Sequence, residues 1–403
     1  MCSLSSTGSG RPWRGTAGVF KSANGTRDLY WTSWILAGLI FFALLAPPVR
    51  SHFFGSVGRW LYVLIFSLTA SHLLTPVARR IALRFGILDM AEGPGGRKIH
   101  SGNTPLLGGL AVIAAFVAAL TANMILDREY FLLLAGGVVV ALVSLIDDWR
   151  GLSARLKLGV QVAVVIALIY AGIVLELFPV KTSWGYGLNC LFTVLWIVGI
   201  TNAMNFADGM DGLAAGLGAI ISFFLGITAF QTNQPLMGWV ALAMLGSCLG
   251  FLPYNFRPRG QALIFLGDAG SIFIGFTLAA LAVKGEWSDS NPIVSFAAPV
   301  LIFWVLIFDM SYITVERVFT GKVKSFREWI DYVGKDHMHH RFFAVLGDRR
   351  KVVLFIYLIS ATLGISAVAL RNARIVDGIL LVVQAFLITI IISILEYSGR
   401  HRD

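Results

Sequence analysis

The chain has 403 residues, of which 57% are hydrophobic and only 13% charged, and its mean hydropathy is +0.77. Soluble domains carry about 25% charged residues, so this composition excludes a water-soluble globular protein and predicts an all-α, polytopic integral membrane protein. The net charge of +10 points to anionic lipid head groups and phosphorylated substrates, not to nucleic acid, because basic residues in such chains chiefly encode orientation.

Residues 1–30 form a polar, basic leader with no apolar stretch before Trp31, so the first apolar run reads as an uncleaved anchor. Apolar runs long enough to span, or nearly so, fall at about 31–48, 57–78, 105–125, 131–146, 157–178, 188–204, 212–230, 237–253, 269–284, 293–316, 351–370 and 376–396. They predict about 11–12 transmembrane helices with mostly short connections; the two longer ones are 79–104 and 317–350. The chain divides into the leader, an additional first helix at 31–56, a core at 57–370, and a last helix and tail at 371–403. Three scattered cysteines, Cys2, Cys190 and Cys248, form neither a disulfide framework nor a metal spacing.

Alternating the runs across a bilayer from a cytoplasmic N-terminus puts 25 of the 32 Lys and Arg residues on the cytoplasmic side and seven on the other. That bias predicts two cytoplasmic termini. The same alternation brings Asp147-Asp148, Asn205 to Asp211, Asp268 and His337 to Arg341 to one membrane face, as a single active site would require.

Arg97-Lys98-Ile99-His100, followed by Pro105 and Gly108-Gly109, lies on the first long loop. It reads either as a topology signal with a proline opening a helix or as a site for phosphate or lipid head groups. Asp147-Asp148 ends an apolar run, and adjacent helical residues point about 100° apart, so the two carboxylates do different jobs. A solvated helix end explains the pair equally well. Lys157 opens the next run and can reach back as a counter-charge or simply snorkel.

The most specific stretch is Thr201 to Ala214, which carries Asn202, Asn205, Asp208 and Asp211 at steps of three with Gly209 and Gly212 between. Helical steps of three keep such groups on one slowly drifting face. A polar helix end would need only one of them. Ionisable groups at the end of a membrane segment are costly and default to a functional hypothesis. Oxygen ligands in this register suit a hard cation and a phosphorylated substrate. Phe265-Leu266-Gly267-Asp268 adds an acid before the next helix, readable alone as an N-cap. Beside the other acids a metal role is the stronger reading, since Mg²⁺ needs only one or two protein oxygens when substrate phosphates supply others.

Residues 317–350 form the largest basic loop. Ser325 to Glu328 fits a capping box, and Phe326, Trp329, Ile330 and Val333 make the apolar face of a short surface helix. Asp336-His337-Met338-His339-His340-Arg341 follows. His337 and His340 alone do not make a zinc site; hydrogen bonding to a sugar or diphosphate suits them better. Twelve helices with buried acids also fit an ion-coupled secondary transporter, but transporters place their polar site near the midplane on broken helices. These acids lie at helix ends.

Five ordered motifs together resemble the polyprenyl-phosphate N-acetylhexosamine-1-phosphate transferases: Arg97 to His100 with Pro105 and Gly108-Gly109, Asp147-Asp148 with Lys157, Asn202 to Ala214, Leu266-Gly267-Asp268, and His337-Met338-His339-His340-Arg341. The resemblance runs from about residue 60 to 370, and the His-x-His-His-Arg form is similar to the WecA and TagO branch rather than to MraY. It implies transfer of a sugar 1-phosphate, by default GlcNAc 1-phosphate, from a UDP-N-acetylhexosamine to undecaprenyl phosphate, with release of UMP. It further implies Mg²⁺, with Mn²⁺ as a substitute, and often a homodimer. In family terms Asn205 and Asp268 are similar to the metal ligands, and Asp211 and Phe265 to nucleotide contacts. Asp147, Asp148 and Lys157 are similar to the acceptor-phosphate and charge-relay set, with Asp208 beside them. Arg97, Lys98 and His100 would meet phosphate, and His337, His339, His340 and Arg341 the sugar. Single and double displacement are both compatible with these residues.

Overall fold

The computed structural model describes residues 24–89, 104–125, 127–258, 260–288, 292–332, 334 and 336–400. Each of the twelve apolar runs lies on a helix or on a bent pair of helices. The first half comprises α1 (Asn24–Leu45), α2 (Pro47–His52) with a π-helical turn at Phe53–Val57, α3 (Arg59–Phe85), α4 (Gly108–Ala122), α5 (Arg128–Arg150), α6 (Ala154–Tyr170) and α7 (Ser183–Ala207). The second comprises α8 (Leu213–Gln231), α9 (Pro235–Asn255), α10 (Gly267–Lys284), α11 (Pro292–Ile302), α12 (Trp304–Phe319), α13 (Phe326–Asp331), α14 (Met338–Leu346), α15 (Arg349–Val368) and α16 (Ile375–Arg400). Among the described residues, eight helices are long and apolar enough to cross a membrane alone, and ten spans result if each bent pair counts as one. The remaining two runs lie on the shorter helices α4 and α6. The protein is a polytopic all-α membrane protein.

Two runs that read as straight spans are bent. The run at 293–316 turns by 78° between α11 and α12, after Pro299 has withdrawn one amide from the helical ladder. The first run turns by 77° into the segment opened by Pro47. Helix α3, by contrast, runs past residue 78 to Phe85, because Ala, Leu, Ile and Arg sustain a helix beyond the apolar window.

Helix α10 is the hub. Its apolar window is 89% buried, against 17% for α16 at the periphery, and it packs on α4, α5, α7 and α8. The α4–α10 contact is backbone against backbone: a Cβ on Gly109 would lie 2.4 Å from Gly270 Cα, an approach only glycine permits. Two further bonds lock the same place, Gly108 N–H to the Phe265 carbonyl at 3.0 Å and Gly109 N–H to the Leu266 carbonyl at 2.7 Å. The Pro-x-x-Gly-Gly stretch thereby fixes where α10 begins. Strands are confined, among the described residues, to β1 (Leu88–Asp89) paired antiparallel with β2 (Thr104–Pro105).

Half of the capping box forms: Ser325 Oγ accepts from Glu328 N–H at 3.2 Å, while a Glu328 carboxylate oxygen accepts from the amide of Lys324, one residue before the cap, at 2.8 Å. The helix it opens, α13, has six residues. Trp329 and Ile330 are half-buried on it, and Val333 lies outside the described residues.

Candidate active site

The site grows from three helix ends. At the C-terminus of α5 the adjacent acids diverge. Asp147 Oδ1 accepts the Leu152 amide at 2.5 Å, and its Oδ2 binds Lys157 Nζ from α6. Asp148 faces the start of α10, its Oδ2 lying 3.4 Å from where a Cβ on Gly267 would sit, and that oxygen is buried with no hydrogen-bond partner. Lys157 also reaches Asp268 Oδ2 at 3.4 Å, so it bridges the α5 and α10 carboxylates.

At the end of α7 the polar stripe separates by function. Asn202 Nδ2 donates to Gln161 Oε1 and to the Val198 carbonyl, both at 2.7 Å, and is structural. Asn205 Oδ1 accepts from Ser271 Oγ on α10 at 2.8 Å. Asp208 follows the last helical residue of α7 and lines the same cavity as Gly267. Asp211 Oδ2 accepts the Ala262 amide at 2.9 Å, so part of its hydrogen-bonding capacity orders the 260–265 segment.

Asp268 does not cap its own helix, which has no side-chain cap. Asp148 and Asp208, from two other helices, face the first turn of α10 instead, so the positive end of the α10 dipole sits among acids. That leaves the Asp268 carboxylate, 36% exposed, turned toward Lys157. Burial, and then the charges of Asp268, Asp148 and Asp211, raise the Asp208 carboxyl well above its ordinary value, with the Gly267 amide opposing. A cation among these groups would reverse that shift.

Asp148, Asp208, Asp211, Phe265, Asp268 and His340 line one cavity of about 460 Å³, together with Asp89, Asn255 and Arg349. The other members of the basic motif turn inward. His337 Nδ1 meets Asp309 Oδ2 at 2.8 Å, the Met338 amide donates to Asp309 Oδ1 at 2.6 Å, and the His337 ring stacks on Phe206 at 4.9 Å. His339 packs on Gly209, where a Cβ would lie 2.3 Å from Nε2. Burial first, then the neighbouring His340, pushes the His339 imidazole down to about 3. Arg341 lies 3.8 Å from the Tyr312 ring centre and 3.5 Å from Glu396 on α16. Of this motif, then, His340 reaches the cavity, while His337, His339 and Arg341 seat α14. Arg97, Lys98 and His100 lie outside the described residues.

Sequence reasoning passed over Asp89, Asn255, Arg349, Asp309 and Glu396. For Asp309 a signal existed: an acid in the middle of the 293–316 run, far from its ends, demands a partner. For Asn255, whose Oδ1 accepts the Gly212 amide at 2.7 Å while Nδ2 donates to the Ile264 carbonyl at 3.0 Å, nothing in the spacing distinguishes it.

The donor set is hard oxygen: carboxylates and an amide, one carboxylate oxygen buried and unpaired. Among the described residues no three His, Cys, Asp or Glu side chains converge on one point as a closed metal cage. Such a set fits Mg²⁺, which takes few protein ligands and completes its shell with phosphate and water. It does not fit a structural zinc site.

A model of "Glycosyl transferase family 4" matches residues 130–286, the stretch from α5 through α10. A probable undecaprenyl-phosphate N-acetylglucosaminyl 1-phosphate transferase of Bacillus subtilis is 35% identical over 326 residues, covering 79% of this chain and 86% of the relative. A decaprenyl-phosphate N-acetylglucosaminephosphotransferase of Mycobacterium leprae is 31% identical over 305 residues, 67% of this chain and 74% of its own. A phospho-N-acetylmuramoyl-pentapeptide-transferase of Synechococcus is 36% identical over 230 residues, 53% and 64% respectively. With its acids gathered at three helix ends and these relatives along most of its length, the chain belongs to glycosyl transferase family 4, the polyprenyl-phosphate N-acetylhexosamine-1-phosphate transferases.

Proposed function

We propose that this protein transfers GlcNAc 1-phosphate from UDP-GlcNAc to undecaprenyl phosphate, giving undecaprenyl-diphosphate-GlcNAc and UMP, as the first membrane step of a cell-surface polysaccharide. The convergence of Asp148, Asp208 and Asp268 with Lys157 at the start of α10 carries the reading. Both termini lie in the cytoplasm of a bacterial cell under this reading, and the cavity faces the compartment that holds nucleotide sugars.

In the reaction an oxygen of the lipid phosphate attacks the β-phosphorus of the UDP-sugar. The bond from that phosphorus to the bridging oxygen breaks, and UMP leaves with the oxygen. Two anions must meet, so the protein's work is positioning and charge neutralisation. Lys157, held by Asp147, presents its ammonium to the incoming phosphate. Asp148 takes up any proton the lipid phosphate carries or orders water beside it, and Asp208 stands against the start of α10. His340 and Arg349 line the same cavity and meet the diphosphate and sugar, while Asp211 and Phe265 meet the nucleotide. Mg²⁺ held by Asn205 and Asp268, with Mn²⁺ as a substitute, would neutralise charge developing on the leaving UMP. A transporter would need its acids at the midplane on broken helices; the bent pairs here carry none of the cavity acids.

The test is to incubate the purified full chain with radiolabelled UDP-GlcNAc, undecaprenyl phosphate and Mg²⁺. A butanol-extractable labelled lipid should form, with equimolar UMP, and EDTA should abolish it. No product from any UDP-N-acetylhexosamine in a folded preparation would sink the proposal.

A further inference from the structure

A second concavity, of about 330 Å³, opens between α1, α3 and the end of α9. Two indoles, Trp31 and Trp34, line it from α1, and Arg79 and Arg80 line it from α3. Its walls are built rather than incidental. Pro76 has no amide, so the His72 carbonyl four residues earlier loses its helical donor, and the Tyr254 hydroxyl of α9 donates to it at 3.1 Å. The His72 ring meets Ser33 Oγ of α1 at 3.2 Å and the Tyr254 hydroxyl at 3.2 Å. One polar knot therefore ties α1, α3 and α9 together beside the concavity.

The charge of the site has no countercharge among the described side chains. Arg79 is half-buried and donates Nε to the Leu263 carbonyl at 3.1 Å, and Arg80 is exposed. Neither has an acidic partner among the described residues. Two guanidinium groups beside two indoles, at the end of a membrane helix, match the boundary where head-group phosphate gives way to acyl chain. A free soluble anion would leave the indoles and Val77 without purpose; an acyl chain alone would leave the arginines so. The reacting acceptor phosphate has to enter the acid-lined cavity, and Arg79 and Arg80 do not line that cavity.

We infer that this concavity binds an anionic phospholipid of the bilayer, its phosphate on Arg79 and Arg80 and its upper acyl chain against Trp31, Trp34 and Val77. Occupancy bears on the catalytic wall. Leu263 joins both sites: its carbonyl takes Arg79, its amide donates to the Tyr254 carbonyl at 2.9 Å, and the neighbouring Ala262 amide holds Asp211. The lipid would brace that segment from behind.

Native mass spectrometry of the full chain, titrated with phosphatidylglycerol or phosphatidylcholine, tests the site. Wild type should prefer phosphatidylglycerol, and Arg80→Gln should weaken that lipid about fivefold, the value of one surface arginine toward anionic lipid. Arg80→Lys should restore most of it, with phosphatidylcholine binding unchanged throughout. Arg80 is exposed, so the variant should keep its helical signal and melting temperature. Equal retention of both lipids by wild type, or phosphatidylglycerol binding unchanged in both Arg80→Gln and an Arg79→Gln/Arg80→Gln double variant, overturns the inference. Two competition arms identify the source. Displacement by millimolar inorganic phosphate would mean a free-anion site, and displacement by stoichiometric undecaprenyl phosphate, with a raised acceptor KM in Arg80→Gln, would mean the acceptor's own site. Either result rejects a bilayer phospholipid.

Discussion

Alanine at Gly270 should separate α10 from α4 and carry Asp268 out of reach of Lys157. The added Cβ would lie 2.6 Å from Gly109 Cα, about 0.8 Å inside the 3.4 Å at which ordinary contact begins. The obstructing atom is backbone and cannot rotate aside, so the helices must part by a similar amount. Overpacking of this kind costs about 1–3 kcal/mol of stability. The functional effect should be larger. Asp268 precedes Gly270 by two residues, and its 3.4 Å contact to Lys157 has no slack. A misplacement of about 1 Å in such a site costs on the order of 10²-fold in rate. Transfer of radiolabelled GlcNAc 1-phosphate, read as kcat beside a melting curve, measures both effects. Gly159→Ala on α6, where an added Cβ meets nothing within 4 Å, is the matched control and should stay within about twofold of wild type. A folded Gly270→Ala protein with kcat within about threefold of wild type would refute the reasoning.

Lys157→Gln should lower kcat by about 10²–10³-fold, the usual loss when one preorganised charge-stabilising donor is removed, with Lys157→Arg partly rescuing it; a full-rate Lys157→Gln enzyme would remove the lysine from the reaction. The buried His339 imidazole, held near 3, makes stability pH-dependent. Its folded value is depressed, so the contribution is complete above the unfolded value of about 6.5 and is lost as pH falls from there toward 3. Metal-free protein should lose on the order of 1 kcal/mol by pH 5.5 from this group alone, and chemical denaturation of His339→Asn should lack that slope. Glu396→Gln leaves Arg341 buried without a countercharge, which costs about 3 kcal/mol or more. The melting temperature should fall, and kcat with it because Arg341 seats the helix that carries His340; a variant with normal melting and normal kcat would show that α16 does not position this helix.

The motifs were legible because their chemistry conflicts with their surroundings. Four polar residues at steps of three between apolar runs, or an Asp pair ending a membrane helix, stand out without any structure. The basic motif was legible as a block but not residue by residue. Four polar side chains in five positions of a helix start point in different directions, and only packing decides that His340 meets the cavity while His337 goes to Asp309 and Arg341 to Glu396. Asp268 shows the same limit. Its place before an apolar helix is the signature of an N-cap, yet α10 begins at Gly267, so Asp268 lies inside the first turn and not at the capping position.

Hydropathy alone determines that the chain spans a membrane, roughly where each helix runs, and which polar groups demand an explanation, because burial of apolar segments in lipid is a local, composition-driven preference. Which acid pairs with which amide is a tertiary matter. So are the 78° turn after Ile302 and the backbone contact of Gly109 with Gly270 that sets the height of Asp268. These depend on close approach between helices separated by long stretches of chain, and no periodicity within one helix records what its neighbour will present.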